Sequence, residues 1–265
     1  MRYFLSLIFL LFSPLAAWAQ DPGQIVNAEL RPGWRLANGD HMAGLHLRLA
    51  PGWKTYWRAP GEAGIPPSFD WRGGGIEAVT VKWPTPKTFH QSGMRSIGYE
   101  GEVVLPLLVR LKEGTKGTGL RAVIDIGLCK HVCLPHRLRL KTRLEASAQR
   151  PDPLIAAALA NLPFDGDEAG VGPARCEISP AEGGLDLRLR IEMPRPAGSL
   201  ETAIEAGDPL LFVSEPVTRW QGGALIAQAR ISHMSGGGFA LDRSALRITV
   251  LGGPFALDLR GCASG

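Results

Sequence analysis

The sequence predicts an all-β protein of two β-sandwich domains in tandem, joined by a short helical connection. Three observations lead there. Glycine and proline are abundant, 33 and 21 of 265 residues, with little helix-like periodicity, which favours strands and turns. Apolar residues alternate with polar ones in many short runs, the pattern of half-buried strands. The best helix signal falls between two groups of such runs. We place a first domain at 20–150, a helical linker at 151–169 and a second domain at 170–265.

The elements follow in chain order. Leu45-His46-Leu47-Arg48-Leu49 alternates cleanly, and Val103 to Leu111 is a longer strand in which Pro106 predicts an edge or a bulge. Val123-Ile124-Asp125-Ile126 runs into Cys129, and Leu138-Arg139-Leu140 leaves Cys133. Turn-rich stretches lie at 59–67 and 82–98. The helix is Leu154 to Leu159, with Asp152 as its cap, Pro153 in its first turn and Pro163 ending it. Beyond it Leu185 to Ile191 alternates strictly, as do Leu246 to Val250 and, less cleanly, Phe255 to Leu259. Short, regularly spaced strands parted by Gly and Pro imply sandwiches.

The amino terminus reads as an export signal. Arg2 supplies the positive charge, Phe4 to Phe12 is apolar except for Ser6, and Ala17-Trp18-Ala19 is a small-x-small cleavage pattern. Cleavage after Ala19 leaves a soluble chain of roughly 245 residues, since no later run approaches the length of a membrane span. In a bacterium its compartment is the periplasm. The net charge is +4, with arginines scattered along strands, so no nucleic-acid footprint is formed. Serine-hydrolase, phosphate-loop and dinucleotide motifs are absent.

The chemistry concentrates at Cys129-Lys130-His131-Val132-Cys133. A continuous strand would hold the two Cα atoms roughly 13 Å apart, against the roughly 4.4–6.8 Å of a disulfide. The flanks read as strands, so the pair is expected across the mouth of a tight hairpin. Four cysteines in an exported chain permit two bridges and three connectivities. If Cys176 and Cys262 pair, chain entropy gives that long loop about 4–5 kcal/mol, against about 2 kcal/mol for the Cys129–Cys133 loop. The long closure suits a structural disulfide and the short one suits exchange. Lys130, His131, His136 and Arg137 surround the short pair and would favour a thiolate; which cysteine attacks stays open.

Two other readings compete. Cys129, His131, Cys133 and His136 could bind Cu(I) or zinc, making a copper-handling module, although the spacing matches no common zinc pattern. Alternatively both bridges are structural, in a sandwich built for adhesion or assembly. His41-Met42, His90 with Met94, and His233-Met234 are soft-ligand pairs better explained as surface or core residues. Trp53 to Trp57 is equally a ligand groove or sandwich core. No metal or cofactor is expected.

Pro51 to Gly61, Gly64-Ile65-Pro66-Pro67, Ile97 to Leu107 and Cys129 to Pro135, in that order, resemble the amino-terminal periplasmic domain of the DsbD thiol:disulfide interchange family. The likeness is closest to the branch named for suppression of copper sensitivity, ScsB, in which a second β-rich segment follows. The resemblance implies immunoglobulin-like sandwiches and a protein-disulfide reductase component that depends on partners. By position it makes Cys129 and Cys133 the redox pair, taking electrons from thioredoxin-like periplasmic proteins and passing them to substrate disulfides. It also implies a shielding loop near 84–98, with Phe89 as a covering aromatic and Tyr99 near its end. DsbD spaces its cysteines more widely, and continues into a membrane electron conduit and a thioredoxin-like domain. Here the implied partners include a separate conduit protein of DsbD or CcdA type.

Overall fold

A computed structural model describes residues 25–91, 93–252 and 256–265. The expected signal segment, its cleavage site and Phe255 lie outside the described residues. Strands joined by turns and loops make up nearly all of the described chain, with one short helix.

The first ten strands are β1 (Val26–Arg35), β2 (His41–Leu49), β3 (Lys54–Tyr56), β4 (Ser68–Arg72), β5 (Ile76–Val81), β6 (Lys87–Gln91), β7 (Met94–Glu100), β8 (Glu102–Leu111), β9 (Gly117–Cys129) and β10 (Cys133–Glu145). They form two sheets, one ordered β1-β2-β8-β5 and one ordered β10-β9-β3-β7-β6 with β4 also on β9. Helix α1 (Pro153–Ala160) follows. Then come β11 (Arg175–Ala181), β12 (Gly184–Glu192), β13 (Glu201–Glu205), β14 (Leu211–Val213), β15 (Val217–Gln221), β16 (Ala224–His233), β17 (Arg247–Leu251), β18 (Leu257–Arg260) and β19 (Ala263–Ser264). These make a sheet ordered β14-β16-β12-β11-β19, with β15 also on β16, and a small sheet β13-β17-β18. The result is two immunoglobulin-like sandwiches.

Alternation sends one face of each strand inward. Leu45, Leu107, Ile124 and Leu128 join Trp57 in the first core, while Leu187, Leu189, Ile231 and Ile248 fill the second. Ala203, Leu251 and Ala256 of the second sandwich pack into the first core's cluster, so the sandwiches share an apolar seam.

Pro106 differs from expectation. It lies in β8, between β2 and β5, with an unbroken register against β2. Its carbonyl accepts from Lys82 N at 2.8 Å, one residue past the end of β5. The missing N–H points the same way, beyond β5, so no ladder bond is lost. The linker helix also does more than connect. Asp152 caps it, accepting from Leu154 N at 2.9 Å and Ile155 N at 3.3 Å, while Arg31 Nε donates to the other carboxylate oxygen at 2.8 Å. Its Ile155 is fully buried against Met42 and Val104, on the face of β2 that alternation assigns to solvent. Gly44 makes the room, since a Cβ there would stand 2.8 Å from Ile155 Cγ1.

Candidate functional site

The β9–β10 hairpin closes in register from Gly117↔Glu145 to Cys129↔Cys133, leaving Lys130-His131-Val132 as its turn. The two cysteines are bonded, with Cα atoms 4.2 Å apart. Cys176 and Cys262 form the other disulfide, with Cα atoms 5.8 Å apart. Of the three connectivities open from sequence, this is the one found.

The short disulfide is asymmetric. Cys129 ends an interior strand paired with both β10 and Lys54 of β3, and it is 2% exposed. Cys133 begins a strand that pairs only with β9, and it is exposed. Beside it in the turn, Val132 is also exposed, at 66%. A small cavity of about 170 Å³ opens beside both sulfurs, and Lys54, Tyr56, Gln91, Met94, Ser96 and His131 contribute to its lining.

Tyr56 is the residue that the sequence did not single out. Its hydroxyl lies 2.7 Å from Cys129 Sγ and 3.3 Å from Cys133 Sγ. Burial pushes its pKa up, so at neutral pH it is a proton-bearing donor. Two local features place it. Thr55, on the other face of β3, donates to Gly127 O at 2.9 Å. Gly127 itself leaves space for the ring, because a Cβ there would come 2.9 Å from Tyr56 Cδ2. Strand alternation puts Lys54 and Tyr56 on one face, but only the β3–β9 pairing turns that face towards the cysteines. The flanking Trp53 and Trp57 are core residues.

The expected tuning and shielding residues fall in different places. Lys130 Nζ donates to Pro51 O at 3.2 Å, tying the turn between the cysteines to the β2–β3 connection. His131 is exposed in the turn and lines the cavity, whereas His136 lies three residues along β10. The stretch 84–98 contains the β6–β7 hairpin. Its Gln91 donates to Lys130 O at 3.4 Å and accepts from Lys54 Nζ at 3.2 Å, latching the hairpin to the turn between the cysteines and to β3. Phe89 sits beneath the Lys54 ammonium, 5.0 Å from ring centroid to nitrogen. Tyr99 is buried away from the cavity and donates to Pro84 O at 2.7 Å, which anchors the start of the loop.

The soft-ligand pairs are dispersed. His41 is fully buried with Nε2 2.7 Å from Pro32 O, His90 faces Glu201, and His233 Nδ1 is 2.7 Å from Ser235 Oγ. Among the described residues no group of three or more His, Cys, Asp or Glu is arranged to hold a metal. No helix among them is long and apolar enough to cross a membrane.

Residues 25–145 match the family described as thiol:disulfide interchange protein DsbD, N-terminal. This segment is a DsbD N-terminal domain. Its hairpin disulfide and the latched β6–β7 hairpin thus lie inside the matched residues, and the segment is a thiol:disulfide interchange-type module. The crystal structure of the N-terminal periplasmic domain of ScsB from Proteus mirabilis aligns with a TM-score of 0.67 at 20% identity, covering 91% of this chain and 92% of that one. At that identity the likeness is one of fold, and it extends past the DsbD-type domain over both sandwiches. A search of curated proteins found no match.

Proposed function

We propose that the protein is a periplasmic thiol:disulfide interchange protein that passes reducing equivalents through Cys129 and Cys133 to disulfides of substrate proteins. The observation that carries this reading is the asymmetric hairpin disulfide, with one cysteine exposed and the other buried under the Tyr56 hydroxyl.

Exchange proceeds by attack of a thiolate on a disulfide sulfur along a path that must be open to it. Recharging starts with a thiolate from a thioredoxin-like partner attacking Cys133 Sγ, the sulfur of the exposed cysteine. The Cys129–Cys133 bond breaks, and Cys129 Sγ leaves with the electron pair as a thiolate. The Tyr56 O–H donates to that sulfur and stabilises it as a leaving group. The partner's second thiolate then releases Cys133, leaving two reduced cysteines here and a disulfide on the partner. Delivery is the reverse. Cys133 thiolate attacks the substrate disulfide, one substrate sulfur leaves, and Cys129 thiolate resolves the mixed disulfide. The net transfer is two electrons and two protons.

In this reading residues 20–150 are the redox unit, 151–169 the linker and 170–265 a second unit held by the structural Cys176–Cys262 disulfide. The β6–β7 hairpin, latched by Gln91, restricts access to the pair. Lys54 and Lys130 give the rim a positive character suited to an acidic partner surface. A membrane conduit of DsbD or CcdA type supplies the electrons through a thioredoxin-like carrier.

Trapping tests the reading. In Cys129→Ala the attacking cysteine remains without its resolver, so a mixed disulfide with periplasmic thiol proteins accumulates and is seen on non-reducing gels. Cys133→Ala traps far less. Absence of any mixed disulfide in both variants would end the proposal.

A further inference from the structure

The β6–β7 hairpin is a plate with two working faces. By strand alternation Gln91, Met94 and Ser96 lie on the face lining the cavity beside the disulfide. His90 and Arg95, directly opposite each other across the two strands, lie on the other face. That second face meets the second sandwich, and both residues converge on Glu201, the first residue of β13. His90 Nε2 is 3.4 Å from one Glu201 carboxylate oxygen. Arg95 Nη1 donates to the other at 3.2 Å and to Thr202 O at 3.1 Å. The Glu215 carboxylate stands 3.5 Å from Arg95 Nε.

Arg95 is only 5% exposed. A guanidinium so far from water must keep its partners, because a buried charge without them is costly. The hairpin therefore cannot lift from the redox pair without separating Arg95 from Glu201 or carrying the second sandwich along. The cavity-facing latch is Gln91, which donates to Lys130 O at 3.4 Å and accepts from Lys54 Nζ at 3.2 Å, two long hydrogen bonds at the exposed surface. The grip from behind is the stronger restraint.

We propose that Glu201 is a positioning residue for the redox site: through Arg95 and His90 the second sandwich holds the β6–β7 hairpin beside Cys129–Cys133 and sets how fast a thiol reaches them. This rests on the exchange reading above and assigns the second sandwich a part in it.

The test is the second-order rate of reduction of the Cys129–Cys133 disulfide by dithiothreitol in the full mature chain, followed by alkylation and peptide mass. Glu201→Gln keeps the shape and removes the charge. It should raise the rate by about 5–150-fold, the span of a typical coupling between sites, with forward and reverse rates rising together so that the reduction potential stays put. His90→Gln, at an exposed side chain, should give a smaller rise, and it carries the test if Glu201→Gln lowers the melting temperature. The double variant Gln91→Ala/Met94→Ala opens the hairpin from the front, and adding Glu201→Gln to it should accelerate reduction no further. If the front variant is faster while Glu201→Gln and His90→Gln match the wild type, the positioning role is wrong and hairpin shielding stands. If the front variant is unchanged as well, shielding fails and the positioning role with it. A Glu201→Gln effect that persists in full in the front-opened background means that it acts elsewhere, and also overturns the proposal.

Discussion

At the scale of single residues, the chemistry turns on which sulfur is stabilised. The Tyr56 hydroxyl is nearer Cys129 than Cys133, so it favours charge on the buried sulfur at the moment the disulfide opens. Tyr56→Phe removes the donor and leaves the ring. A hydrogen bond to a charged group contributes about 1.5–3 kcal/mol, so reduction should slow roughly 10–150-fold and the Cys129 thiol pKa should rise. Stopped-flow kinetics and thiolate absorbance against pH would read the two effects, and a purely structural tyrosine would leave the pKa unmoved. The cysteines were legible because a four-residue separation between strand patterns has few geometric solutions. Tyr56 was not, because in Trp53 to Trp57 the core residues and the site residue belong to one chemical class. What separates them is the partner strand each faces, and that is a property of the β3–β9 pairing.

At the scale of elements, alternation located the strands but not what covers them. The outward face of β2 was expected to meet water, yet helix α1 covers part of it, with Ile155 set over Gly44. His46 on the same face is 1% exposed and lies between carboxylates, 2.9 Å from Glu29 and 2.5 Å from Glu102. The capping signals at Asp152 and Pro153 were local and readable; the docking of the helix was not, since it depends on a glycine more than a hundred positions earlier. Pro106 misled for a similar reason. The rule against proline in an interior strand concerns one missing N–H, and here that direction runs past the end of β5. Ile155→Ala should therefore cost about 2–5 kcal/mol, the usual range for emptying a filled apolar site. Chemical denaturation would show a lower midpoint at an unchanged slope, with the helix signal retained up to the transition. A loss well under 1 kcal/mol would mean that the helix is a tether and not part of the fold.

At the scale of the whole molecule, arginines scattered along strands are expected on solvated sheet faces, and several are. Arg72, Arg137 and Arg143 are exposed and pair with neighbours on their own sheets. Arg58 and Arg95 are different, because both cross the seam between the sandwiches. Arg58 Nε donates to the two Glu205 oxygens at 3.2 and 3.0 Å, and its Nη2 donates to Thr249 at 3.0 Å and lies 3.8 Å from Asp258. Arg247 also binds Asp258. Nothing in the linear pattern marks these two arginines, since their partners lie more than a hundred residues away. Burial alone would raise the Asp258 carboxyl, but the hydrogen bond and charge of Arg247, then the charge of Arg58, hold it below the ordinary range. A carboxylate depressed in the folded state adds stability that is complete above its unfolded pKa of about 3.9 and lost as pH falls through the folded value. The seam should thus be intact at neutral pH and loosen only below about pH 4. Arg58→Met keeps apolar bulk and removes the cation, leaving Glu205 without its partner, and should cost about 3 kcal/mol. Calorimetry should resolve the second sandwich as a separate, earlier transition in the variant at neutral pH, and in the wild type only in acid. A single unshifted transition would show that the apolar contacts of Ala203, Leu251 and Ala256 suffice to join the two sandwiches, with the ion pairs adding only alignment.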